Sequence, residues 1–252
     1  MTTTIDLNAD MGESFGAWTV GDGVDPGIMP LISSANIAAG FHAGDPSTML
    51  ETLRLASRYG VSVGVHPGFR DLVGFGRRPI LAAADELVND VLYQMGALRE
   101  LARLEGLEVN HFKLHGALFM HAAQDETFAE KLTAALITVA PHLSVYCLAG
   151  TALDKAAESV GLSRVHEFYA DRDYNDEGSI VFVRNVKRLD PHQVAQKVLR
   201  ACQEGKVETV SGQQVAVQFQ SICIHSDTPG ALSLVQAVRE SLDNAGINVA
   251  AH

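Results

Sequence analysis

The chain has 252 residues, a formal net charge of −11 at pH 7 and 47% hydrophobic residues. An acidic chain is unsuited to nucleic acid or anionic membrane surfaces, because both attract positively charged proteins. No apolar stretch approaches the roughly 18 residues that span a bilayer, and the first residues do not resemble a signal peptide. We therefore expect a cytoplasmic protein with no nucleic-acid or membrane partner.

The cysteine content and the chain length narrow the possible classes of protein further. Cys147, Cys202 and Cys223 form an odd set without a CxxC pair, so neither a disulfide framework nor a thiolate zinc site is indicated. A length of roughly 250 residues is typical of a single α/β barrel. We expect one domain.

Short apolar stretches alternate with helical patterns along the chain. The predicted strands are residues 5–10, 35–42, 61–66, 109–115, 143–149, 164–171 and 221–227. The predicted helices are residues 45–60, 81–105, 125–140, 151–161, 191–205 and 231–246. This alternation predicts an α/β fold with parallel strands, either a barrel or an open sheet. A small β insertion is expected around residues 178–217, with extra strands at 178–184 and a hairpin over 207–217 that turns at Ser211 and Gly212.

Nearly every predicted strand ends in ionisable or amide side chains. Because the carboxyl ends of parallel strands open into one crevice, these side chains are expected to converge. They are Asp6, Asn8, Asp10, Glu13, His42, Asp45, His66, Lys113, His115, Asp171, Arg172, His225 and Asp227. Burying unsatisfied polar groups costs about 1–3 kcal/mol each, so the set predicts a functional site.

The first strand offers two interpretations. Asp6, Asn8 and Asp10 share one face and Glu13 follows, a pattern that suits metal coordination or acid–base chemistry. Alternatively, Asp6 ties the barrel floor together and Glu13 caps a turn. Asp45 is followed by Pro46 and a helical pattern, so it is interpreted as a helix N-cap before it is interpreted as a catalyst.

Basic side chains at the later strand ends point to an anionic ligand. Lys113 is expected to bind an anionic substrate, to pair with Asp10, or to act as a base with a lowered pKa. Arg172 is the best candidate for a carboxylate clamp, whereas Arg77 and Arg78 either hold an anion or lie in a solvated loop. The motifs GxxxxGK[ST] and HExxH are absent, and no GxGxxG follows the first strand.

Seven motifs in a fixed order carry a family resemblance. They are DLNADMGESFG, ANIAAGFHAGDP, VGVHPGF, FGRR, KLHGALF, ADRDY and HSDTPGA, and they extend from about Asp6 to Ala231. Together they closely resemble the LamB/YcsF family. The resemblance implies a distorted seven-stranded (β/α) barrel of the glycoside hydrolase/deacetylase type. It also implies the activity of the A subunit of 5-oxoprolinase, the ATP-dependent conversion of 5-oxo-L-proline to L-glutamate together with subunits B and C.

The resemblance gives the polar residues provisional roles. Asp10 or Glu13 would be the base, and His66 or His115 the proton donor. The expected substrate-binding residues are Asp6, Asn8, His42, Lys113, Arg172, His225 and Asp227. By analogy with deacetylases, Asp10, His42 and His66 would hold a divalent metal.

Several questions of function stay open at this point. ATP is expected to be shared with the partner subunits, because the chain has no P-loop. A stand-alone metal-dependent deacetylase or amidohydrolase acting on a small amide or sugar is the main alternative. A binding subunit without catalysis is another. Homo-oligomerisation is left open.

Overall fold

A computed structural model describes residues 4–183 and 187–252. Its strands are β1 (Thr4–Met11), β2 (Ser34–Ala38), β3 (Ser62–His66), β4 (Val109–Phe112), β5 (Ser144–Cys147), β6 (Ser163–Tyr169), β7 (Lys206–Glu208), β8 (Gln214–Ala216), β9 (Ser221–His225) and β10 (Asn248–Val249). Its α-helices are α1 (Asp25–Ile28), α2 (Pro46–Tyr59), α3 (Ala84–Leu104), α4 (Gly116–Gln124), α5 (Glu126–Val139), α6 (Ala152–Ser159), α7 (Pro191–Glu204) and α8 (Ala231–Asn244), and a 3₁₀ turn spans Met29–Leu31.

Seven parallel strands close into a barrel in the order β1, β2, β3, β4, β5, β6, β9, and β9 pairs back with β1. The short strand β10 adds to the outer end of β1. The helices surround the barrel, and each presents an apolar stripe to it; in α3 the buried stripe includes Leu87, Val91, Met95 and Leu98. The predicted seven-stranded α/β barrel is confirmed.

Local signals in the sequence set the helix boundaries. At α2 the Asp45 carboxylate accepts hydrogen bonds from the backbone N–H groups of Ser47 and Thr48, and Gly60 ends the helix with a φ of 66°. Asp45 is thus the N-cap that the Asp-Pro sequence indicated. The helices α1 and α4 were not predicted, because α1 is a single turn and α4 begins directly after a strand-like apolar run.

Several strands are shorter than predicted, which moves polar residues into the loops. The strand β2 ends at Ala38 and β4 ends at Phe112, so His42, Lys113 and His115 follow strands instead of ending them. The Lys113 N–H still donates to the Val65 carbonyl at 3.0 Å. After β4 the extended backbone therefore continues past the strand and brings Lys113 and His115 to the barrel mouth.

The insertion before β9 differs in part from its prediction. An antiparallel pair, β7 and β8, forms the hairpin expected over residues 207–217. The strand predicted at 178–184 is wrong for its described residues 178–183, where Ile180 makes an isolated bridge to Tyr174. Ile180 is buried in the core, so this side chain anchors the segment, which does not join a sheet edge. Arg184 lies outside the described residues.

Across residues 4–183 and 187–252, no helix combines the length and the apolar character that crossing a membrane requires.

Candidate active site

The interior of the barrel is polar because β1 alternates. Asp6, Asn8 and Asp10 all point inward, and each is at most 2% exposed. They define three levels along the barrel axis. The Asn8 amide donates to Glu167 at 3.0 Å and to Ser221 at 2.7 Å, so it links β1 to β6 and β9 at the middle level.

Asp6 lies at the barrel floor. Its carboxylate accepts hydrogen bonds from four hydroxyl groups, which belong to Ser33, Ser34, Tyr146 and Ser221. These bonds tie three other segments of the chain to one carboxylate, and Asp6 does not line the cavity at the barrel mouth. The floor interpretation of Asp6 therefore has direct geometric support.

Lys113 lies at the centre of the barrel and is 2% exposed. Its Nζ donates to Asp10 Oδ1 at 2.8 Å and lies 3.2 Å from Glu167 Oε1 and 3.0 Å from Cys223 Sγ. Burial alone would lower the pKa of Lys113, but the neighbouring groups, led by Asp10, outweigh burial and hold this pKa well above its usual value. An ammonium that stays charged cannot act as a base, so the ion pair with Asp10 replaces that interpretation.

Asp10 connects the charged centre to the cavity. Asn36 donates to Asp10 Oδ1 at 2.8 Å, and Asp10 Oδ2 lies 3.3 Å from His66 Nε2 and 3.6 Å from His225 Nε2. Burial would raise the pKa of Asp10, but His66 and Lys113 together lower it well below the usual value. Asp10 is therefore an ionised carboxylate and a weak base.

His225 is held by a buried carboxylate on the opposite side of the ring. Asp171 Oδ1 lies 3.0 Å from His225 Nδ1, and Asp171 Oδ2 accepts from Thr228 at 2.6 Å and from Arg172 at 2.9 Å. Burial would raise the pKa of Asp171, but His225 and Arg172 lower it far below its usual value. A carboxylate at Nδ1 fixes the imidazole so that Nε2 faces Asp10, an arrangement suited to proton transfer.

A second cluster brings together Glu13, His42, His66 and His115, all buried. Glu13 Oε1 lies 3.1 Å from His115 Nδ1, 3.3 Å from His42 Nε2 and 3.7 Å from His66 Nε2. Burial and the nearby His115 lower the pKa of His42 to about 3. Burial raises the pKa of Glu13, but hydrogen bonds from His115 and His42 outweigh it and leave this pKa far below the usual value.

This cluster differs from the metal set that the sequence indicated. The sequence places Asp10 with His42 and His66, whereas the structure places Glu13 and His115 with these histidines. Asp10 lies 3.3 Å from His66 Nε2, but its carboxylate belongs to a separate group with Cys223 and His225, since Lys113 and Asn36 hold its Oδ1.

The cavity at the barrel mouth has a volume of about 420 Å³ including its opening. Six of the predicted site residues line it: Asp10, His66, Lys113, His115, Arg172 and His225. Five do not: Asp6, Asn8, Glu13, His42 and Asp227. The apolar wall is formed by Phe119, Met120, Ile180, Phe182 and Val183. The site thus combines cations and acid–base groups on one side with a hydrophobic surface on the other.

Both arginines of the glycine-rich loop form ion pairs. Arg77 Nη2 lies 2.8 Å from Asp227 Oδ2, and both side chains are nearly buried. Arg78 pairs with Asp71, and its side chain is half exposed. Asp227 is therefore engaged by Arg77, which itself lines the cavity.

The comparisons with known proteins agree on one family. The model of the LamB/YcsF family matches residues 5–252. The chain belongs to the LamB/YcsF family.

Similar proteins support this placement. The chain is 61% identical over 249 residues to the first of the 5-oxoprolinase A subunits of Pseudomonas aeruginosa, covering 99% of each chain. The crystal structure of a lactam utilization protein from Thermus thermophilus is 43% identical, with a TM-score of 0.92, and covers 99% of this chain and 100% of that one. A polysaccharide deacetylase from Bacillus cereus, 12% identical over 100% of this chain and 93% of its own, has a TM-score of 0.50 and shows the shared barrel fold.

Sequence reasoning missed two contributors to this LamB/YcsF site, and for a third, Asp171, it missed the partner. Glu167 and Asn36 bond to the polar residues of β1, and Asp171 orients His225. The signal was present for Asn36, which stands between the buried Ala35 and Ile37, but not for Glu167, which stands between the half-buried His166 and the buried Phe168. No sequence pattern shows that Asp171 faces His225, which lies 54 residues away.

Proposed function

We propose that this chain is the A subunit of a 5-oxoprolinase and opens the lactam ring of 5-oxo-L-proline to give L-glutamate. The observation that carries this proposal is the 61% identity, over 99% of the chain, to a protein named as a 5-oxoprolinase A subunit. The cavity supports it, because a small ring with one carboxylate needs a cation, an acid–base group and an apolar wall.

The substrate carboxylate is assigned to Arg172, which lines the cavity and is 7% exposed. Arginine suits a planar carboxylate because two of its N–H groups donate in parallel. The ring methylenes would lie against Phe119, Met120 and Ile180 on the apolar wall. The Lys113 ammonium already pairs with the carboxylates of Asp10 and Glu167. Its assigned role is therefore to neutralise their negative charge and not to bind the substrate.

Proton transfer is assigned to His225. Its Nε2 accepts a proton from water as the water oxygen bonds to the lactam carbonyl carbon, while Asp171 holds the Nδ1 proton. The carbon–nitrogen bond then breaks, and the same Nε2 proton passes to the ring nitrogen. Asp10, 3.6 Å from Nε2, stabilises the imidazolium between these steps. His225 thus takes the role of base that the family resemblance assigned to Asp10 or Glu13. The pKa of Asp10 is well below its usual value, and Glu13 does not line the cavity.

ATP and two partners complete the proposal. A five-membered lactam is a stable amide, and phosphorylation of its oxygen by ATP, with release of ADP, makes the carbonyl carbon more electrophilic. Attack by one water and cleavage of the carbon–nitrogen bond then give γ-glutamyl phosphate, and a second water hydrolyses this acyl phosphate to glutamate and inorganic phosphate. Since the chain has no P-loop, we assign nucleotide binding to subunits B and C, and a cytoplasmic location to the assembly.

The decisive experiment measures glutamate release from 5-oxo-L-proline by the purified chain, alone and with subunits B and C, each with and without ATP. A requirement for ATP and all three proteins supports the proposal. Cleavage of an amide by the chain alone, without ATP and with loss on chelation, would replace it by a metal-dependent amidohydrolase. His225→Gln should abolish turnover in the complete mixture, and the exposed His142→Gln is the matched control.

A further inference from the structure

Two backbone carbonyls fix the protons of two cluster histidines. His66 Nδ1 lies 2.8 Å from the Lys113 carbonyl oxygen, and His115 Nε2 lies 2.8 Å from the Phe75 carbonyl oxygen. A carbonyl oxygen accepts hydrogen bonds and donates none, so each of these nitrogens carries a hydrogen. In neutral imidazoles the lone pairs are then on His66 Nε2 and His115 Nδ1, which face each other at 3.0 Å. Two acceptors this close need a cation or an extra proton between them.

Glu13 and His42 add two more donor atoms at the same point. The carboxylate oxygen Oε1 of Glu13 is 3.1–3.7 Å from nitrogen atoms of the three histidines. Four ligands at the usual zinc distances of about 2.0–2.1 Å form a tetrahedron with edges of about 3.3–3.4 Å. Four of the six separations, 3.0–3.7 Å, lie near this edge length before any metal is bound, and all four ligand atoms are within 4.8 Å of one another.

Unsatisfied polar atoms remain in this cluster. Glu13 Oε2 and His42 Nδ1 have no hydrogen-bond partner among the described residues, although Glu13 is 4% exposed and His42 is 1% exposed. Leaving such atoms buried costs about 1–3 kcal/mol each. Metal coordination would offset the cost at Glu13, because it draws charge from the carboxylate, whereas His42 Nδ1 lies on the ring away from the Nε2 that faces Glu13.

Two glycines let the loop after β3 close over the imidazoles. A Cβ atom at Gly68 would lie 2.5 Å from His42 Nδ1, and one at Gly76 would lie 2.8 Å from His115 Cδ2. Backbone packed this closely holds both rings in place, which is how coordinating histidines are preorganised.

We infer that Glu13, His42, His66 and His115 form a binding site for one divalent first-row transition metal of the zinc type. Three imidazoles and one carboxylate favour zinc over magnesium or calcium, which bind oxygen ligands. The carbonyls of Lys113 and Phe75 are the outer partners that such histidines usually have. The site adjoins the cavity through His66 and His115 but does not depend on the reaction proposed for it.

The test measures metal binding without turnover, so it can fail independently of the proposed function. The untagged chain is stripped with a chelator and titrated with Zn²⁺ by calorimetry, and bound zinc is counted by mass spectrometry. We expect one Zn²⁺ per chain and a loss of affinity in His42→Ala that exceeds the about 10- to 100-fold cost of losing an outer partner. His142→Gln should bind as the unchanged chain does, since His142 is exposed and outside the cluster.

Cobalt substitution separates this cluster from two groups that contain cysteine. Co²⁺ at the proposed site should give the visible bands of a tetrahedral nitrogen and oxygen site. A thiolate-to-cobalt charge-transfer band would instead place the metal at Cys223 or Cys147, each of which belongs to another possible ligand group, and would overturn the assignment. No zinc bound by the unchanged chain would also overturn it and leave a shared proton between His66 and His115. If His42→Ala does not fold, the near-isosteric Glu13→Gln provides the same comparison.

Discussion

At the residue scale, Asp171 determines whether His225 can transfer protons. Replacing Asp171 by Asn keeps the shape but offers an amide N–H to His225 Nδ1, which favours the wrong tautomer. We predict that Asp171→Asn lowers kcat of the reconstituted enzyme by about 10²- to 10⁴-fold while KM changes little. Steady-state glutamate release measures both constants.

The control for this prediction lies two residues away. Asp173 is exposed, so Asp173→Asn should leave kcat unchanged. Because Asp171 also bonds to Arg172 and Thr228, the unfolding midpoint of Asp171→Asn is measured alongside. A folded Asp171→Asn enzyme with normal kcat would remove His225 from the role of base.

Asp6 allows the opposite prediction. Its carboxylate binds four hydroxyls at the barrel floor and does not line the cavity. Asp6→Asn should lower the free energy of unfolding by about 1–3 kcal/mol, because charge-assisted bonds are lost, and leave kcat per folded molecule unchanged. Urea denaturation and turnover, measured on the same preparation, test the two parts of this prediction. Normal stability with impaired turnover would restore Asp6 to the substrate site.

How far the sequence predicts the site is clearest from pairs of residues. Strand periodicity identified Asp10 as inward-facing, and the cost of burying Lys113 gave pairing with Asp10 as one of three possible roles; the structure contains this ion pair. Periodicity gives the face of a strand but not the partner across the barrel. Glu13 and His115, and not Asp10, form the cluster with His42. This grouping depends on the loop paths after the strands, which no local pattern encodes.

At the element scale, β3 carries a glycine that the barrel interior requires. A Cβ atom at Gly64 would lie 2.1 Å from Cδ2 of His111, whose Nε2 contacts Asn36 Oδ1 at 2.8 Å. We predict that Gly64→Ala lowers the free energy of unfolding by about 1–3 kcal/mol, because His111 must leave this position. Urea denaturation measures the change.

The same glycine-to-alanine substitution in a helix should raise the free energy of unfolding instead of lowering it. Gly96 lies on the exposed side of α3, and a Cβ atom there would meet nothing within 4 Å. Gly96→Ala should raise the free energy of unfolding by about 0.5–1 kcal/mol, since alanine loses less backbone entropy in a helix. If both variants were stabilised, the contact assigned to Gly64 would be incorrect.

Elements with strong local signals were predictable and the others were not. The helix α2 has an Asp-Pro start and a glycine end, so its prediction was accurate to one residue at each boundary. The segment 178–183 has the apolar sequence of a strand, but its side chains form part of the cavity wall and its backbone does not pair with a strand. Apolar character therefore predicted the burial of Ile180 but not the 39% exposure of Phe182 and Val183, and the neighbouring backbone determines whether a sheet forms.

At the scale of the whole molecule, closure of the barrel is the feature that local sequence could not supply. Alternating strands and helices fit an open sheet as well as a barrel. Closure depends on β9 pairing with β1, more than 200 residues apart in the chain. Asn8 strengthens this seam through its bond to Ser221, and it reaches β6 through Glu167. A polar interior thus helps to close the fold and also positions the site.

Stability of the whole molecule should depend on pH through Lys197 on α7. Its ammonium donates to the carbonyls of Ala170 and Arg172, and burial lowers its pKa from 10.5 to about 8. Between these two values the unfolded chain binds more protons than the folded chain, so the contribution of Lys197 to stability rises with pH. Below pH 8 both states carry the proton, and the full cost of the buried charge is present.

Lys197→Gln isolates this contribution, because glutamine keeps an N–H donor for the carbonyls and does not titrate. We predict that the difference in free energy of unfolding, unchanged chain minus variant, is constant from pH 6 to 7. It should then increase between pH 8 and 10 by at most about 1.4 kcal/mol per pH unit. Urea denaturation at fixed ionic strength measures it. A difference that is flat to pH 10 would mean that the Lys197 ammonium is solvated, and that the carbonyls after β6, beside Asp171, are held by other contacts.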